Sequence, residues 1–190
     1  MRIISGIYGG RNLIGKMPRS IRPTTDFARE SLFDTLCSII NIQGKIFLDL
    51  FAGSGAIGLE ALSRGADMVY FIDKSKESLI RIKKNIEYLE IPKDKFKIFQ
   101  SEAIEFLSIL CNLEKFDIIF ADPPYNFEYL WKICELAMTK EILNDNGIII
   151  IIYETESKRN EIIHPDFQII KQKVSGNAKF YFIEKITYNK

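Results

Sequence analysis

Ile46-Phe47-Leu48-Asp49-Leu50-Phe51-Ala52-Gly53-Ser54-Gly55-Ala56-Ile57-Gly58 is the stretch on which the fold turns. Its first six residues are an apolar run of strand length carrying one acid. After the glycines, Ala56, Leu59 and Leu62 keep helical spacing, and Gly65 is placed to end that helix. Strand, glycine turn and helix make the opening of a βαβ unit, and in an open α/β sheet ligands bind at the carboxyl ends of the strands. Glycines 53, 55 and 58 also fit the dinucleotide spacing G-x-G-x-x-G, which alone discriminates poorly. Asp49 separates the readings. A pyrophosphate sits on backbone N–H groups at a helix N-terminus, where a neighbouring carboxylate repels it. S-adenosylmethionine has no phosphate; it carries a sulfonium and an ammonium, and both favour an acid. A glycine turn serving only tight helix–strand packing is the plainer alternative.

Moving outward, Met68-Val69-Tyr70-Phe71-Ile72-Asp73 is a second apolar run ending in an acid, about twenty residues after the glycine loop, the placement for binding ribose hydroxyls. Asp73 or Ser75 can equally cap the helix that begins near Lys76. Leu79, Ile82, Ile86 and Leu89 form that helix's buried stripe. A further strand, Phe96 to Gln100, ends at Ser101-Glu102-Ala103, where Glu102 either accepts from an adenine amino group or serves the first turn of a helix. The run Phe116-Asp117-Ile118-Ile119-Phe120-Ala121 closes on Asp122-Pro123-Pro124-Tyr125. Adjacent prolines donate no N–H and hold their neighbours extended, so the chain leaves the sheet rigidly there. A carboxylate, fixed carbonyls and an aromatic ring then face the ligand end together, a set that can hold a planar amine. A solvated Asp on a Pro-Pro turn is the bland alternative.

These segments resemble the class I S-adenosylmethionine-dependent methyltransferases, and within them the bacterial 16S ribosomal RNA guanine-N2 methyltransferases with an Asp-Pro-Pro-[Phe/Tyr] motif. The resemblance is carried by Arg2 to Gly6, Gly10 to Leu13, Arg22-Pro23-Thr24-Thr25-Asp26 with Arg29 to Phe33, Leu48 to Gly55, Gly58 to Ala66, and Asp122 to Tyr125. It spans nearly the whole chain, and the N-terminal block is its specific part. Tyr125 departs from the usual Phe, and Glu102 from the commoner Asp or Asn. The family implies a Rossmann-like fold with a seven-stranded, mostly parallel sheet, an antiparallel last strand, and a short basic N-terminal hairpin or arm. It implies S-adenosylmethionine held by Arg22, Thr24, Asp49, Phe51, Gly53, Gly55, Asp73, Lys74, Glu102, Ala103 and Asp122. Catalysis falls to Asp122, Pro123 and Tyr125, and RNA contact to Arg2, Arg11, Lys16, Arg19 and Tyr125. The Pro-Thr-Thr-Asp segment around Thr24 is also an ordinary capping arrangement.

At 190 residues the chain is expected to be one domain, with a basic RNA-contacting arm at 1–22 and the cofactor-binding core at 23–190. Hydrophobic content of 47% and charged content of 27% are ordinary for a globular protein. No apolar run reaches spanning length and the N-terminus shows no secretory pattern, so a cytoplasmic protein without membrane contact is expected. Cys37, Cys111 and Cys134 are widely spaced; with the single His164 they suggest no metal site, reduced and mostly buried thiols, and an incidental surface histidine. Net charge is only +1, yet residues 1–22 hold five basic side chains and no acid, a pattern that can follow phosphates. A helix is expected from about Thr25 to Ile40, and parallel strands from near Ile46, Met68, Phe96, Asp117 and Gly147. Two more follow near Phe167 to Lys173 and Lys179 to Ile186, joined hairpin-fashion.

The expected activity is methylation of the exocyclic N2 amine of a guanine in small-subunit ribosomal RNA by a monomer, with the ribosomal particle as partner. An adenine-N6 methyltransferase acting on DNA or RNA would use the same Pro-Pro turn. A non-catalytic RNA-binding assembly factor is the alternative from another class. A nicotinamide-dependent oxidoreductase would explain the glycines but neither Asp49 nor Asp122 to Tyr125.

Overall fold

A computed structural model of the chain describes residues 1–15, 25–110, 114–123, 128–154 and 164–186. Seven strands form one sheet in the order β3-β2-β1-β4-β5-β7-β6. In chain order the elements are α1 (Asp26–Cys37), β1 (Ile46–Asp49), α2 (Ala56–Ser63), β2 (Met68–Asp73), α3 (Lys76–Leu89), β3 (Phe96–Gln100), α4 (Ala103–Ile109), β4 (Phe116–Ala121), α5 (Glu128–Thr139), β5 (Leu143–Glu154), β6 (Phe167–Ser175) and β7 (Ala178–Lys185). The five strands β1 to β5 pair in parallel, whereas β7 runs antiparallel to both β5 and β6. The expected topology, with its reversed last strand, is the one observed.

Alternation along the strands assigns the two faces. Phe47, Val69, Phe71, Ile118 and Phe120 point to a core shared with α1, α2 and α3. Leu48, Tyr70, Ile72, Ile119 and Ala121 point to the other, shared with α4 and α5. The central strands are buried on both faces, which is why they read as unbroken apolar runs. The stripe Leu79, Ile82, Ile86 and Leu89 is buried as expected.

Three local expectations need correction. The first helix stops at Cys37, three residues short of Ile40, where Ser38 N–H turns back on the carbonyls of Asp34 and Thr35. The fifth strand starts at Leu143 rather than near Gly147. Asn144-Asp145-Asn146-Gly147 reads as a turn, but Asn144 Nδ2 donates to Asp117 Oδ1 at 2.9 Å and the ladder absorbs the excess as a register shift beside Phe116. Cys134 is buried and Cys37 is exposed, so thiol burial does not extend to Cys37; Cys111 lies outside the described residues.

The N-terminal segment is a short hairpin. Arg2 bridges Asn12, with Ile3 N–H on Arg11 O at 2.9 Å and Leu13 N–H on Met1 O at 3.0 Å. It lies along α2 and α3, with its turn beside Ser63 at the far end of α2 and its open end toward the glycine loop. Among the described residues no helix is long and apolar enough to cross a membrane.

Candidate active site

Three acids gather at the carboxyl ends of adjacent strands. Asp49 ends β1 and pairs in register with Phe71 of β2 and Phe120 of β4. Asp73 and Asp122 therefore each lie two residues further along neighbouring strands, which run about 4.8 Å apart. The chain leaving β1 stays tied between them, with Leu50 N–H on Phe120 O at 3.0 Å and Ala52 N–H on Ile72 O at 2.9 Å.

Asp49 is 1% exposed. Its Oδ2 accepts from Gly58 N–H at 3.2 Å, in the first turn of α2. No side chain caps that helix at Gly55, so the Asp49 carboxylate serves one of its free N–H groups. Oδ1 is buried without a hydrogen-bond partner among the described residues. Burial pushes the carboxyl up to about 8; the Gly58 N–H and, more weakly, the Phe51 N–H work against that rise, and the charges of Asp73 and Asp122 add to it. A buried carboxylate with so few donors favours a cationic neighbour and disfavours a pyrophosphate.

Asp73 braces the loop through both oxygens. Oδ2 accepts from Gly53 N–H and Oδ1 from Ser75 N–H, each at 2.7 Å. The cap of α3 is Ser75, whose Oγ accepts from Ser78 N–H at 3.3 Å. Each Asp73 oxygen keeps a second lone pair, so bracing the loop and accepting from a diol are compatible. Gly53 has φ +52°, and a β-carbon there would meet only Phe51 O, at 3.8 Å, leaving the backbone open to a ligand. Gly55 is different: a β-carbon would press on Ile82 Cγ1 at 2.8 Å, so its role is packing as well as turning.

Glu102 precedes α4 and makes no side-chain cap; it is half exposed and pairs with Lys74 Nζ at 3.2 Å. Gln100 Nε2 also donates to Lys74 O at 3.3 Å, so Lys74 and Glu102 form one side of the loop cluster beyond Asp73. Ala103 is buried at the start of α4 and Phe51 is half-buried beside the loop. Asp122 is exposed and Pro123 buried. Tyr125, Arg22, Thr24, Lys16 and Arg19 lie outside the described residues. The cap of α1 is Thr25, whose Oγ1 accepts from Ala28 N–H at 3.1 Å. Arg2 and Arg11 are both exposed on the hairpin; Arg2 Nε is 3.7 Å from Asp26 Oδ2, and Arg11 stands over the Tyr8 ring at 6.0 Å.

His164 is not the unpartnered surface residue expected. Its Nδ1 lies 3.4 Å from Asp166 Oδ2 and its ring 4.9 Å from that of Trp131 on α5. The sequence assigns no role to Glu60, Ser63 and Asn85, which are buried and hold the hairpin. Their partners in the hairpin are backbone groups more than fifty residues away, which no local pattern reveals. The glycine at position 6, which takes a positive φ, is the one local signal of a close approach.

The family profile described as Conserved hypothetical protein 95 matches residues 1–184. Ribosomal RNA small subunit methyltransferase D of Haemophilus influenzae is 34% identical over 180 residues, 95% of this chain and 91% of that protein. The Escherichia coli protein of the same name is 31% identical over 185 residues, 97% and 90% of the two chains. A solved structure of Escherichia coli yhhF, provisionally described as a methyltransferase, superposes with a TM-score of 0.83 at 30% identity over 99% of each chain.

Proposed function

The chain belongs to the Conserved hypothetical protein 95 family, and on that premise we propose that it methylates the exocyclic N2 amine of a guanine in small-subunit ribosomal RNA. The observation that carries this is the acid cluster: Asp122 directly follows β4, the strand next to Asp49, whose buried oxygen lacks a partner among the described residues. On this reading the cation site and the amine site would be neighbours.

S-adenosylmethionine, when bound, supplies the electrophilic methyl group. Asp49 sets a negative charge beside its cationic end, Asp73 accepts from its ribose, and Lys74 with Glu102 borders its base. Arg22 and Thr24 hold its carboxylate. A guanine amine is a poor nucleophile because its lone pair is drawn into the ring. Asp122 and the Pro123 carbonyl accept its two N–H bonds, which favours a pyramidal nitrogen with its lone pair aimed at the methyl carbon. Transfer of the methyl would leave a surplus proton on the nitrogen, and Asp122 would take it. Most of the acceleration is positioning and electrostatics, since the amine becomes acidic only as the new bond forms. Tyr125 stacks on the target base, which must be unpaired or flipped to reach the turn. Residues 1–22 contact RNA through Arg2, Arg11, Lys16 and Arg19, residues 23–190 form the catalytic core, and the enzyme acts as a monomer on the particle in the cytoplasm.

Incubation with labelled S-adenosylmethionine and small subunits lacking native methylation tests the reading. Label is expected in the 16S RNA. Cofactor binding without label would move the substrate elsewhere, and absence of cofactor binding would remove the enzyme reading.

A further inference from the structure

We propose that Glu60 is a positioning residue for RNA binding: it locks the N-terminal hairpin to the helix that starts at the cofactor loop. This rests on the reading that the hairpin contacts RNA. Glu60 is fully buried on α2. Its Oε2 accepts from Ile4 N–H at 2.7 Å; its Oε1 accepts from Ser5 N–H at 3.0 Å and from Arg64 Nε at 2.7 Å. A buried carboxylate is tolerated only when its lone pairs are filled. Two of these three donors belong to the hairpin, so hairpin docking completes a charge site inside the protein.

The rest of the contact has the same character. Ser63 Oγ donates to Ser5 O and accepts from Tyr8 N–H at 3.0 Å, while Ser63 O takes Ile7 N–H at 2.8 Å. Asn85 on α3 accepts from Ile14 N–H at 2.6 Å and donates to Ile14 O at 3.2 Å. Arg29 on α1 donates to Arg2 O at 2.5 Å. Four of the eight buried polar residues among those described, Arg29, Glu60, Ser63 and Asn85, hold the hairpin. The approach is close enough that a β-carbon on Gly6 would stand 1.8 Å from Ser63 O. At the open end, Ser54 of the glycine loop donates to Met1 Sδ at 3.6 Å.

A basic arm that bound RNA by ordering on contact would need none of this. The hairpin is instead preorganised: its backbone is bound inward and Arg2 and Arg11 are left exposed outward, at a fixed distance from the cofactor loop. Preorganisation spares RNA the ordering cost at binding, so loosening the clamp should weaken RNA binding and spare the cofactor. Glu60, Ser63 and Asn85 form the clamp on α2 and α3, and Glu60 is its charged member.

The test uses the full chain with Glu60→Gln, Gly6→Ala and the milder Asn85→Ala, which frees only the open end. S-adenosylmethionine affinity, kcat and KM for unmethylated small subunits, and amide exchange over residues 3–8 and 13–15 are read together. Loss of protection there, KM raised about tenfold or more and cofactor affinity within about twofold are expected. Lost protection with unchanged KM would overturn the proposal, as would an equal loss of cofactor affinity, which marks general unfolding. Should Glu60→Gln not fold, Asn85→Ala decides by the same two readouts. If the native chain transferred no methyl to RNA, the functional reading itself would fall, an outcome distinct from active enzyme with insensitive variants.

Discussion

Asp49 sits where a carboxylate is costly, and its pH behaviour follows from that. Its ordinary value is 3.8 and burial, ahead of the neighbouring acids, raises it to about 8. Between those values the folded chain holds a proton that the unfolded chain has released, so this group's contribution to stability falls as pH rises from about 4 to 8. Asp49→Asn removes the titration. The variant's Tm is expected to drop less between pH 5 and pH 8 than the native Tm, as thermal melts would show. A cation beside Asp49 needs the charged form, so S-adenosylmethionine affinity should climb by up to about tenfold per pH unit below 8 and then level off. Calorimetric titration across pH 6 to 9 checks this, and a flat native profile would contradict it. On the proposed mechanism Asp122→Ala removes an acceptor for the amine; turnover should then fall by about 10²-fold or more while cofactor affinity changes little. Near-native turnover in that variant would exclude the role.

At the scale of elements, the strand–turn–helix at 46–63 explains why so much of the site is readable from sequence. Three apolar runs each end in an acid, and alternation places those ends together once the strands are parallel. Asp49, Asp73 and Asp122 are legible for that reason. What Asp73 does is only half legible: its position suits ribose binding or capping, and in the fold it braces Gly53 and Ser75 while Ser75 does the capping. Glu60 is only partly legible: its i,i+4 pair with Arg64 is local, but a Glu on a short helix reads as solvated, and its other partners are main-chain groups of Ile4 and Ser5. The early start of β5 escapes sequence because Asn-Asp-Asn-Gly has turn composition; Leu143 pairs with Phe116, Asn144 to Gly147 stand out of the ladder with Asn144 tied to the distant Asp117, and continuous pairing begins at Ile148, close to the expected Gly147. Gly58 shows packing outweighing propensity. Alanine in mid-helix gains about 1 kcal/mol, but a β-carbon there would meet Phe71 Cε1 at 2.3 Å. Gly58→Ala should therefore destabilise by about 1–3 kcal/mol in denaturant melts; a stabilised variant would contradict the packing. Ser75→Ala should cost about 1 kcal/mol in the same melts by loss of the α3 cap.

For the whole molecule, charge is distributed rather than abundant. Net charge is +1, with the first 22 residues strongly basic and the remainder net negative. The acids of the site attract a cationic cofactor, while the hairpin presents Arg2 and Arg11 on a separate surface anchored to α1, α2 and α3. On the proposed reading, one fold thus joins a cation site rigidly to a basic surface that would face phosphates. Replacing Arg2 and Arg11 with alanine should weaken binding to the ribosomal particle and lower the salt slope of that binding by about one for each phosphate no longer neutralised. An unchanged slope would take these two side chains out of the RNA interface.

The central claim, that this site methylates a guanine amine, is tested most directly by digesting 16S RNA after transfer of labelled methyl to unmethylated small subunits and identifying the labelled nucleoside. N2-methylguanosine is the predicted product. Label in N6-methyladenosine would keep the fold and the amine chemistry of the Asp-Pro-Pro turn but contradict guanine as the target.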